Sequence, residues 1–596
     1  MLRVLRFSLA FGLMSLHGLA QSGSQPAAAA SQPSPPAKIN TENAAASSTT
    51  TASSPLVLSH LLGDARSLYR KGNFDAAIAK YQEFLATHPK SPDAYAGLVR
   101  VYLKQKKIEL AAQTAEQGLA QSDSRRVRTA RAEVWFRQGR ISDAENEWVK
   151  VINSGYPEAR AYLGASRVRD ALAMYKSAKT MIDKAHLLDP DDPDIQEEWI
   201  GTFSPAERIK YLEFSLAGDN SWDEEKRANI ARYLKYLQER ARQKRTSPCR
   251  LVSKVTSMET PMVRLLLGPN RLRGFGLSVI LNGHKSSLLL DTGASGIIVK
   301  RSIAEHAGLS KITETQVWGI GSKGGRSAYH SIADSIKVGD LEFQNCPVEV
   351  MESNSVAGED GLIGTDVFQQ FLLDLDFPDE KLRLSGLPKR PNVVQQNFAL
   401  SSEDGDSDDA EPASDKSDTD KSGANEPAKD KPANASVGTA NVASTPAASG
   451  PQDRYIAPEM RSYTQVFRFG HDLLIPTTIG NVPSKLFVLD TGGFNNTISP
   501  AAAREVTKVH NDDMIVKGIS GKVDKVYSAN KAVLTFGRLR QENQDMTAFD
   551  NTVISDSIGT EVSGFLGFAL LRLLEIKIDY RDALVDFQYD AKRGNR

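Results

Sequence analysis

The sequence predicts a multidomain chain in which an all-α helical-repeat domain is followed by two all-β lobes. Three observations predict it. Small residues recur at one place in a helical pattern, Ala77, Ala111, Ala144 and Ala178, in steps of 34, 33 and 34. Two β-like apolar runs, Leu288-Leu289-Leu290 and Leu486-Phe487-Val488-Leu489, each end on an Asp-Thr-Gly turn, and the turns lie 199 residues apart (490 minus 291). Before and between these regions the composition falls to Ala, Ser, Pro, Asp, Glu and Lys. Such stretches bury too little apolar surface to offset chain entropy.

The totals fit several domains. A chain of 596 residues has room for more than one core. Basic and acidic residues number 73 each, so overall charge points to neither nucleic acid nor a membrane surface. Cys249 and Cys346 are too far apart in sequence to make a metal site or redox pair by spacing. A disulfide between them is allowed in an oxidising compartment.

The N-terminus reads as an export leader over 1–20, with basic Arg3 and Arg6, an apolar run from Phe7 to Leu16, and small residues before a cut ahead of Gln21. That run is short for a bilayer span, and no later run is long and apolar enough for one. The expectation is an exported protein, periplasmic or extracellular, with no stable membrane span once the leader is cut. Residues 21–55 read as a disordered Ala/Ser/Pro-rich linker.

Residues 56–245 read as helical. Gly72-Asn73-Phe74-Asp75-Ala76-Ala77 aligns with Lys106 to Ala111 and with Gly139 to Ala144, and Pro89 recurs as Pro190 after 101 residues, three such steps. This period resembles the tetratricopeptide repeat over about residues 58 to 200. The resemblance implies stacked helix pairs whose concave face binds a protein partner. Ser204 to Arg245 reads as a capping helix with Trp222, Ile230, Tyr233, Leu234 and Leu237 on one stripe. Its basic residues lack an aromatic stacking platform, so they read as a solvated face and no nucleic-acid partner is expected.

The first β lobe is placed at 255–390. Its runs Leu277 to Leu281 and Ser286 to Leu290 flank Asn282-Gly283, a strong hairpin signal. A Gly-rich segment around Gly319, Ile320 and Gly321 follows, then Leu362-Ile363-Gly364 and a closing strand pair. In this order the elements resemble a retropepsin-type aspartic protease lobe. The resemblance implies a catalytic carboxylate at Asp291, an interlobe role for Thr292, and an active-site loop through Gly293 and Ala294. It implies a substrate-covering flap at Gly319 to Gly325, and packing behind the active site by Ile363 and Gly364. No metal or cofactor is implied, because two carboxylates sharing one proton can activate water for peptide hydrolysis.

Residues 391–452 read as a disordered acidic linker and 453–596 as a second lobe of the same kind. Asp291 to Gly319 and Asp490 to Gly518 both span 28 residues, and Gly364 to Asp376 and Gly567 to Asp579 both span 12. The corresponding roles fall on Asp490, on Thr491, Gly492 and Gly493, on flap residues Gly518, Ile519 and Ser520, and on Leu566 and Gly567. Asp376 and Asp579 read as structural. One departure stands out: Gly493 replaces the Ser, Thr or Ala usual after Asp-Thr-Gly, and the missing side chain is expected to loosen the turn and shift Asp490.

The function expected is an exported aspartic endopeptidase acting on protein or peptide substrate, with the repeats for protein binding. The alternatives are a weak or inactive protease-like scaffold that binds peptides, and lobes that each dimerise with a second chain rather than pairing within one.

Overall fold

Left-handed turns set the spacing of the helical region. Helices α1 (Pro55–Arg70) and α2 (Phe74–Thr87), α3 (Pro92–Lys104) and α4 (Ile108–Gln121), α5 (Arg125–Arg137) and α6 (Ile141–Asn153), and α7 (Ala159–Ala171) and α8 (Tyr175–Leu188) form four pairs. In each pair the first helix gives way to a residue with positive φ: Gly72 at 79°, Lys106 at 61°, Gly139 at 76° and Ala173 at 58°. The next amide then donates five residues back, Asn73 to Leu68, Lys107 to Tyr102 and Arg140 to Trp135 at 2.9 Å, and Met174 to Arg169 at 2.8 Å. This is the outer hydrogen bond of a Schellman cap, repeated four times. Lys106 holds a conformation that disfavours a Cβ; its own side chain is 61% exposed, and its mostly buried partner Asp556 also has Arg137 at 3.2 Å. Lys106→Gly is therefore expected to raise the urea midpoint by the equivalent of about 0.5–1 kcal/mol.

This computed structural model describes residues 55–218, 224–242, 249–269, 271–352, 356, 359–391 and 451–593. The expected leader, the linkers apart from their end residues, and Trp222 lie outside the described residues. The stepped alanines Ala77, Ala111, Ala144 and Ala178 each fall at the same turn of the second helix of a pair and are buried. Between pairs, close packing needs glycine: a Cβ on Gly97 would strike the Tyr81 ring, and one on Gly164 the Trp148 ring. Helices α9 (Pro193–Gly201), α10 (Pro205–Ala217) and α11 (Glu224–Arg242) follow. The last two close over Leu212, Ile230, Leu234 and Leu237, so the expected cap is a helix pair.

The inner face of the repeats is closed at its centre. Arg160 of α7 binds Asp192 at 2.7 Å, Asp194 at 2.8 Å, Glu133 of α5 at 3.2 Å and the Tyr69 hydroxyl of α1 at 3.0 Å. Tyr69 also donates to Asp194 at 2.9 Å, 125 residues away, so the first helix meets α9 directly. Buried ion networks like this one specify an arrangement more than they stabilise it.

Each β lobe is built on a sheet that carries an aspartate strand. In the first, Leu272–Leu281 pairs antiparallel with His284–Asp291 through a turn in which Asn282 and Gly283 both have positive φ, as a type I′ hairpin requires. Gly361–Gly364 then runs parallel to the aspartate strand and sets Gly364 beside Asp291. In the second, Asp472–Ile479 pairs with Lys485–Asp490, and Gly564–Gly567 sets Gly567 beside Asp490. The duplication read from spacing is thus a duplication of topology.

The lobes join through one six-stranded sheet, in which Phe371–Asp376 pairs antiparallel with Leu574–Asp579, Leu373 opposite Ile578. Both lobes contribute to a single apolar core that includes Leu290, Ile363, Leu489 and Leu566. Asp376 accepts from Arg383 at 2.8 Å and from Arg593 of the other lobe at 2.7 Å. Burial pushes its carboxyl up, but these cations outweigh burial and hold it below the usual range. Asp579 accepts the Asp582 amide at 3.1 Å and shapes a turn.

The repeats pack on the second lobe. Phe136 and Trp148 share a core with Leu486, Ile558 and Phe565. The Phe136 and Arg137 carbonyls accept from Thr560 Oγ1 at 2.6 Å and from the Glu561 amide at 3.0 Å, and Arg137 meets Asp556 at 3.2 Å. Cys249 and Cys346 form a disulfide that fastens the start of the first lobe to its strand Leu341–Met351.

Candidate active site

The two Asp-Thr-Gly turns grip one another. Thr292 Oγ1 donates to the Leu489 carbonyl at 2.7 Å and accepts the Thr491 amide at 3.0 Å. Thr491 Oγ1 donates to the Leu290 carbonyl at 2.9 Å and accepts the Thr292 amide at 3.0 Å. Each hydroxyl thus satisfies one donor and one acceptor of the opposite strand, in a buried setting where an unpaired polar atom is costly. The residue type matters, because only a hydroxyl offers both functions from one atom.

The grip brings the carboxylates together within one chain. A Cβ placed on Gly293 would stand 3.3 Å from Asp490 Oδ1 and 3.4 Å from Asp291 Oδ1, so both carboxylates border a single point. Asp291 accepts the Gly293 amide at 2.8 Å, and Asp490 accepts the Gly493 amide at 2.7 Å. A side chain on Gly492 would overlap the Asp291 carboxylate. Both aspartates are buried, and burial pushes Asp291 above the ordinary carboxylate range. Burial and then the Asp291 charge push Asp490 up to about 7. Backbone amides and the Arg273 guanidinium work against the rise at both. Paired groups of this kind keep one shared proton well above the pH at which either alone would lose it.

The expected loosening at Gly493 is not what the turn shows. Its amide anchors Asp490, and a Cβ there would stand 2.5 Å from Asp490 Oδ2. Glycine is what this turn accommodates. Gly493→Ala is accordingly expected to cost about 1–3 kcal/mol of unfolding free energy by crowding the Asp490 carboxylate, measured by urea denaturation beside an unchanged far-ultraviolet spectrum.

The rest of the loop differs between lobes. Asp366 accepts from Ser295 Oγ at 3.0 Å and from the Gly296 amide at 2.9 Å. In the second lobe Asn496 does a comparable task from inside the loop itself, accepting the Gly567 amide at 2.8 Å and donating to Gln541 at 2.7 Å. Sequence reasoning assigned neither residue. The signal was a polar Asn496 where the 199-residue offset aligns the apolar Ile297 (496 minus 297). Ile363 and Leu566 are buried behind the aspartates. Gly364 and Gly567 sit against the Ala294 and Asn495 carbonyls with no room for a side chain.

The flap segments meet at their tips. Lys517–Gly518 pairs with Gly521–Lys522 as a short hairpin. The Gly319 to Gly325 tip carries no ladder of its own beyond Val317 opposite Arg326. It is held by the other flap instead: Ser520 donates its amide to the Ile320 carbonyl at 3.1 Å, and its Oγ accepts the Gly319 amide at 3.1 Å. Its carbonyl accepts the Lys323 amide at 2.9 Å. A Cβ on Gly321 would run into the Ser520–Gly521 backbone. Ile519 packs with Ala294, Val317 and Leu362 of the first lobe, and Ile320 with Val523 and Phe565 of the second. Each flap therefore seats its isoleucine with the opposite lobe.

No group of three or more His, Cys, Asp or Glu able to hold a metal occurs among the described residues.

Comparison with known proteins adds the family context. Residues 277–367 match the family described as aspartyl protease, and residues 68–134 match the tetratricopeptide repeat. The UBA domain-containing protein Mud1 of Schizosaccharomyces pombe is 30% identical over 112 residues, 18% of this chain and 32% of that protein. DNA damage-inducible protein 1 of Chaetomium globosum is 30% identical over 113 residues, 19% and 24% respectively. The chain thus spans less than a third of the length of these curated relatives. Among solved structures, a retropepsin-like aspartic protease from Rickettsia conorii aligns at 21% identity over 23% of this chain and 94% of its own, with a TM-score of 0.18. A tetratricopeptide protein of Thermus thermophilus aligns at 17% identity over 30% and 99%, with a TM-score of 0.25.

Proposed function

We propose that the chain is an exported aspartic endopeptidase whose two fused lobes supply one aspartate each, with a helical-repeat domain that binds a protein partner or substrate. The observation that carries the reading is the reciprocal threonine grip that sets Asp291 and Asp490 at one point. Two carboxylates so close cannot both ionise, so one keeps a proton while the other accepts one from water. One carboxyl of the pair holds the shared proton in the free enzyme. Its ionised partner withdraws a proton as water attacks the scissile carbonyl, and the shared proton is given to the carbonyl oxygen. Collapse of the resulting gem-diol breaks the C–N bond: the amine leaves with the proton that the base gained, and one gem-diol hydroxyl returns a proton to the other carboxylate as the C=O re-forms, so the pair ends with its one shared proton. The flaps exclude bulk water above the reacting bond. They are bonded tip to tip, so substrate entry requires the Ser520 contacts to open.

Export is supported by the basic and apolar leader and by the disulfide, which persists in oxidising compartments. Closure of the inner repeat face around Arg160 leaves the flanks of the repeats as the surface for a partner. The test is a peptide-library digest by the mature chain, with mass-spectrometric identification of the cut bonds. Cleavage that disappears in Asp291→Asn is expected. Absence of cleavage, together with pull-down of a protein through residues 58 to 200, supports the scaffold instead. N-terminal sequencing of the secreted protein should start at Gln21.

A further inference from the structure

The sheet that joins the lobes carries a row of charges of alternating sign. Its central strands, Phe371–Asp376 of the first lobe and Leu574–Asp579 of the second, correspond residue for residue at an offset of 203 (574 minus 371 and 579 minus 376). Asp374 and Lys577 therefore occupy the same position of the duplicated lobe (577 minus 374), and the register sets them directly opposite one another, on the axis that relates the lobes. Asp586 faces Lys577, Lys577 faces Asp374, Asp374 faces Arg383 and Arg383 faces Glu259. The sign changes at every step across five strands. The row is partly withdrawn from water, with the Asp374 side chain 18% exposed and that of Lys577 27%, so salt screens it less than a surface pair. Its close contacts run within the lobes, Arg383 to Asp374 at 3.5 Å and Lys577 to Glu575 at 3.1 Å. The one like-charged step beside it, Asp376 opposite Glu575, is bridged by Arg593 at 2.7 and 3.3 Å.

A second asymmetry lies in the core below the sheet. By the same offset Thr365 corresponds to Phe568, and Phe377 to Tyr580 (568 minus 365 and 580 minus 377). The two matching contacts across the axis are filled differently. The hydroxyls of Thr365 and Tyr580 share a hydrogen bond at 2.6 Å, whereas the rings of Phe568 and Phe377 pack edge to face at 6.1 Å. All four residues are buried.

Both features fit unlike lobes and oppose like ones. Two first lobes related by the same axis would set Asp374 against Asp374 and Thr365 against Phe377 twice over. Two second lobes would set Lys577 against Lys577 and Tyr580 against Phe568, leaving each buried hydroxyl without a partner. Like charges directly opposite one another destabilise a sheet, and a buried unpaired hydroxyl costs its full desolvation.

We propose that this seam is a recognition surface whose partner is the unlike lobe, so that the first lobe accepts the second and rejects another copy of itself. The inference rests on the reading of the lobes as halves of one site, and it excludes a dimer in which two copies of Asp291 make one site and two copies of Asp490 another. Two chains that exchange lobes still pair unlike with unlike.

The first experiment is a urea cycle on the full chain at low salt. Asp374→Lys and Lys577→Asp should each lower the midpoint, because each also opposes a neighbour in its own lobe, Arg383 or Asp586. The double variant restores opposite charges across the seam, so its shift should fall short of the sum by about a third or more. Where a reversed chain does not fold, Asp374→Asn with Lys577→Gln reads the same coupling at about half the size. Thr365→Val and Tyr580→Phe each strand one hydroxyl, and the double variant, which removes both, should shift the midpoint no further than the worse single. Coupling in either cycle supports the inference; strict additivity in both overturns it. The second experiment mixes light and isotope-heavy chains and joins carboxylates to lysines with a zero-length carbodiimide. Segment 371–386 should be joined to 574–589, within a chain or between two. A light 371–386 joined to a heavy 371–386, or 574–589 to its own copy, overturns the inference; where no link crosses the seam, the cycles decide. Neither readout uses hydrolysis. Absent cleavage with unlike lobes joined removes the protease and keeps the seam, and cleavage with like lobes joined does the reverse.

Discussion

Replacing Asp490 by Asn should abolish peptide hydrolysis as completely as Asp291→Asn, with kcat/KM falling by about a thousandfold or more in each. The expectation for Asp490 follows from its contacts, since its carboxylate borders the same point as that of Asp291 and is anchored by the Gly493 amide. A structural Asp490 predicts a different pairing of effects, namely residual activity with lower stability. Here the signs are opposite. The folded-state pKa of Asp490 is raised, to about 7, so the fold favours its protonated form. A raised carboxyl costs nothing below its unfolded pKa and destabilises increasingly from there up to the folded value. Asp490→Asn removes that cost, so its Tm relative to the parent should rise between about pH 4 and pH 7 and stay level above. The parent's kcat/KM should fall on the alkaline side as the pair loses its shared proton near pH 7. Activity that climbs steadily into alkali refutes the proton-sharing mechanism.

Much of this site was legible because duplication leaves a ruler in the sequence. The 28-residue and 12-residue intervals hold in both lobes, since a Gly-rich tip and a strand-closing aspartate each sit at a fixed distance along a shared path. The repeat period was legible for a similar reason. Gly72, Lys106, Gly139 and Ala173 all take the left-handed turn that ends a first helix, even though only two are the glycine that signals it. What the pattern concealed was what depends on contact between distant segments. Asp366 and Asn496 do related work from different places in their lobes, so no alignment of the two halves pairs them. Gly493 looked like a loosened turn because glycine is permissive in isolation. Only the position of the Asp490 carboxylate shows that a Cβ there has no room. Closure of the inner repeat face likewise depends on Tyr69 and Asp194 meeting across 125 residues, a contact no local period encodes.

The largest stability effect is expected at the threonine grip, where Thr292→Ala and Thr491→Ala should each cost about 2–4 kcal/mol of unfolding free energy. The argument is one of counting. Removing the Thr292 hydroxyl leaves the Leu489 carbonyl without its donor and the Thr491 amide without its acceptor. Removing the Thr491 hydroxyl strands the Leu290 carbonyl and the Thr292 amide in the same way. Both sites are buried where water does not readily replace the lost partner. The two hydroxyls do not bond to each other, yet the strands they hold are the same pair. Once the first loss lets the turns separate, the second hydroxyl has less left to hold. The double variant should therefore cost less than the sum of the singles, with a coupling of about 1 kcal/mol or more in a denaturant cycle. Thr→Ser keeps the donor and acceptor and should restore most of the loss, whereas Thr→Val, equal in shape, should restore little. Hydrolysis should follow the same order, because separating the turns moves Asp291 from Asp490. Strict additivity in the cycle, or full activity in Thr292→Val, would show that the threonine grip does not hold the turns together.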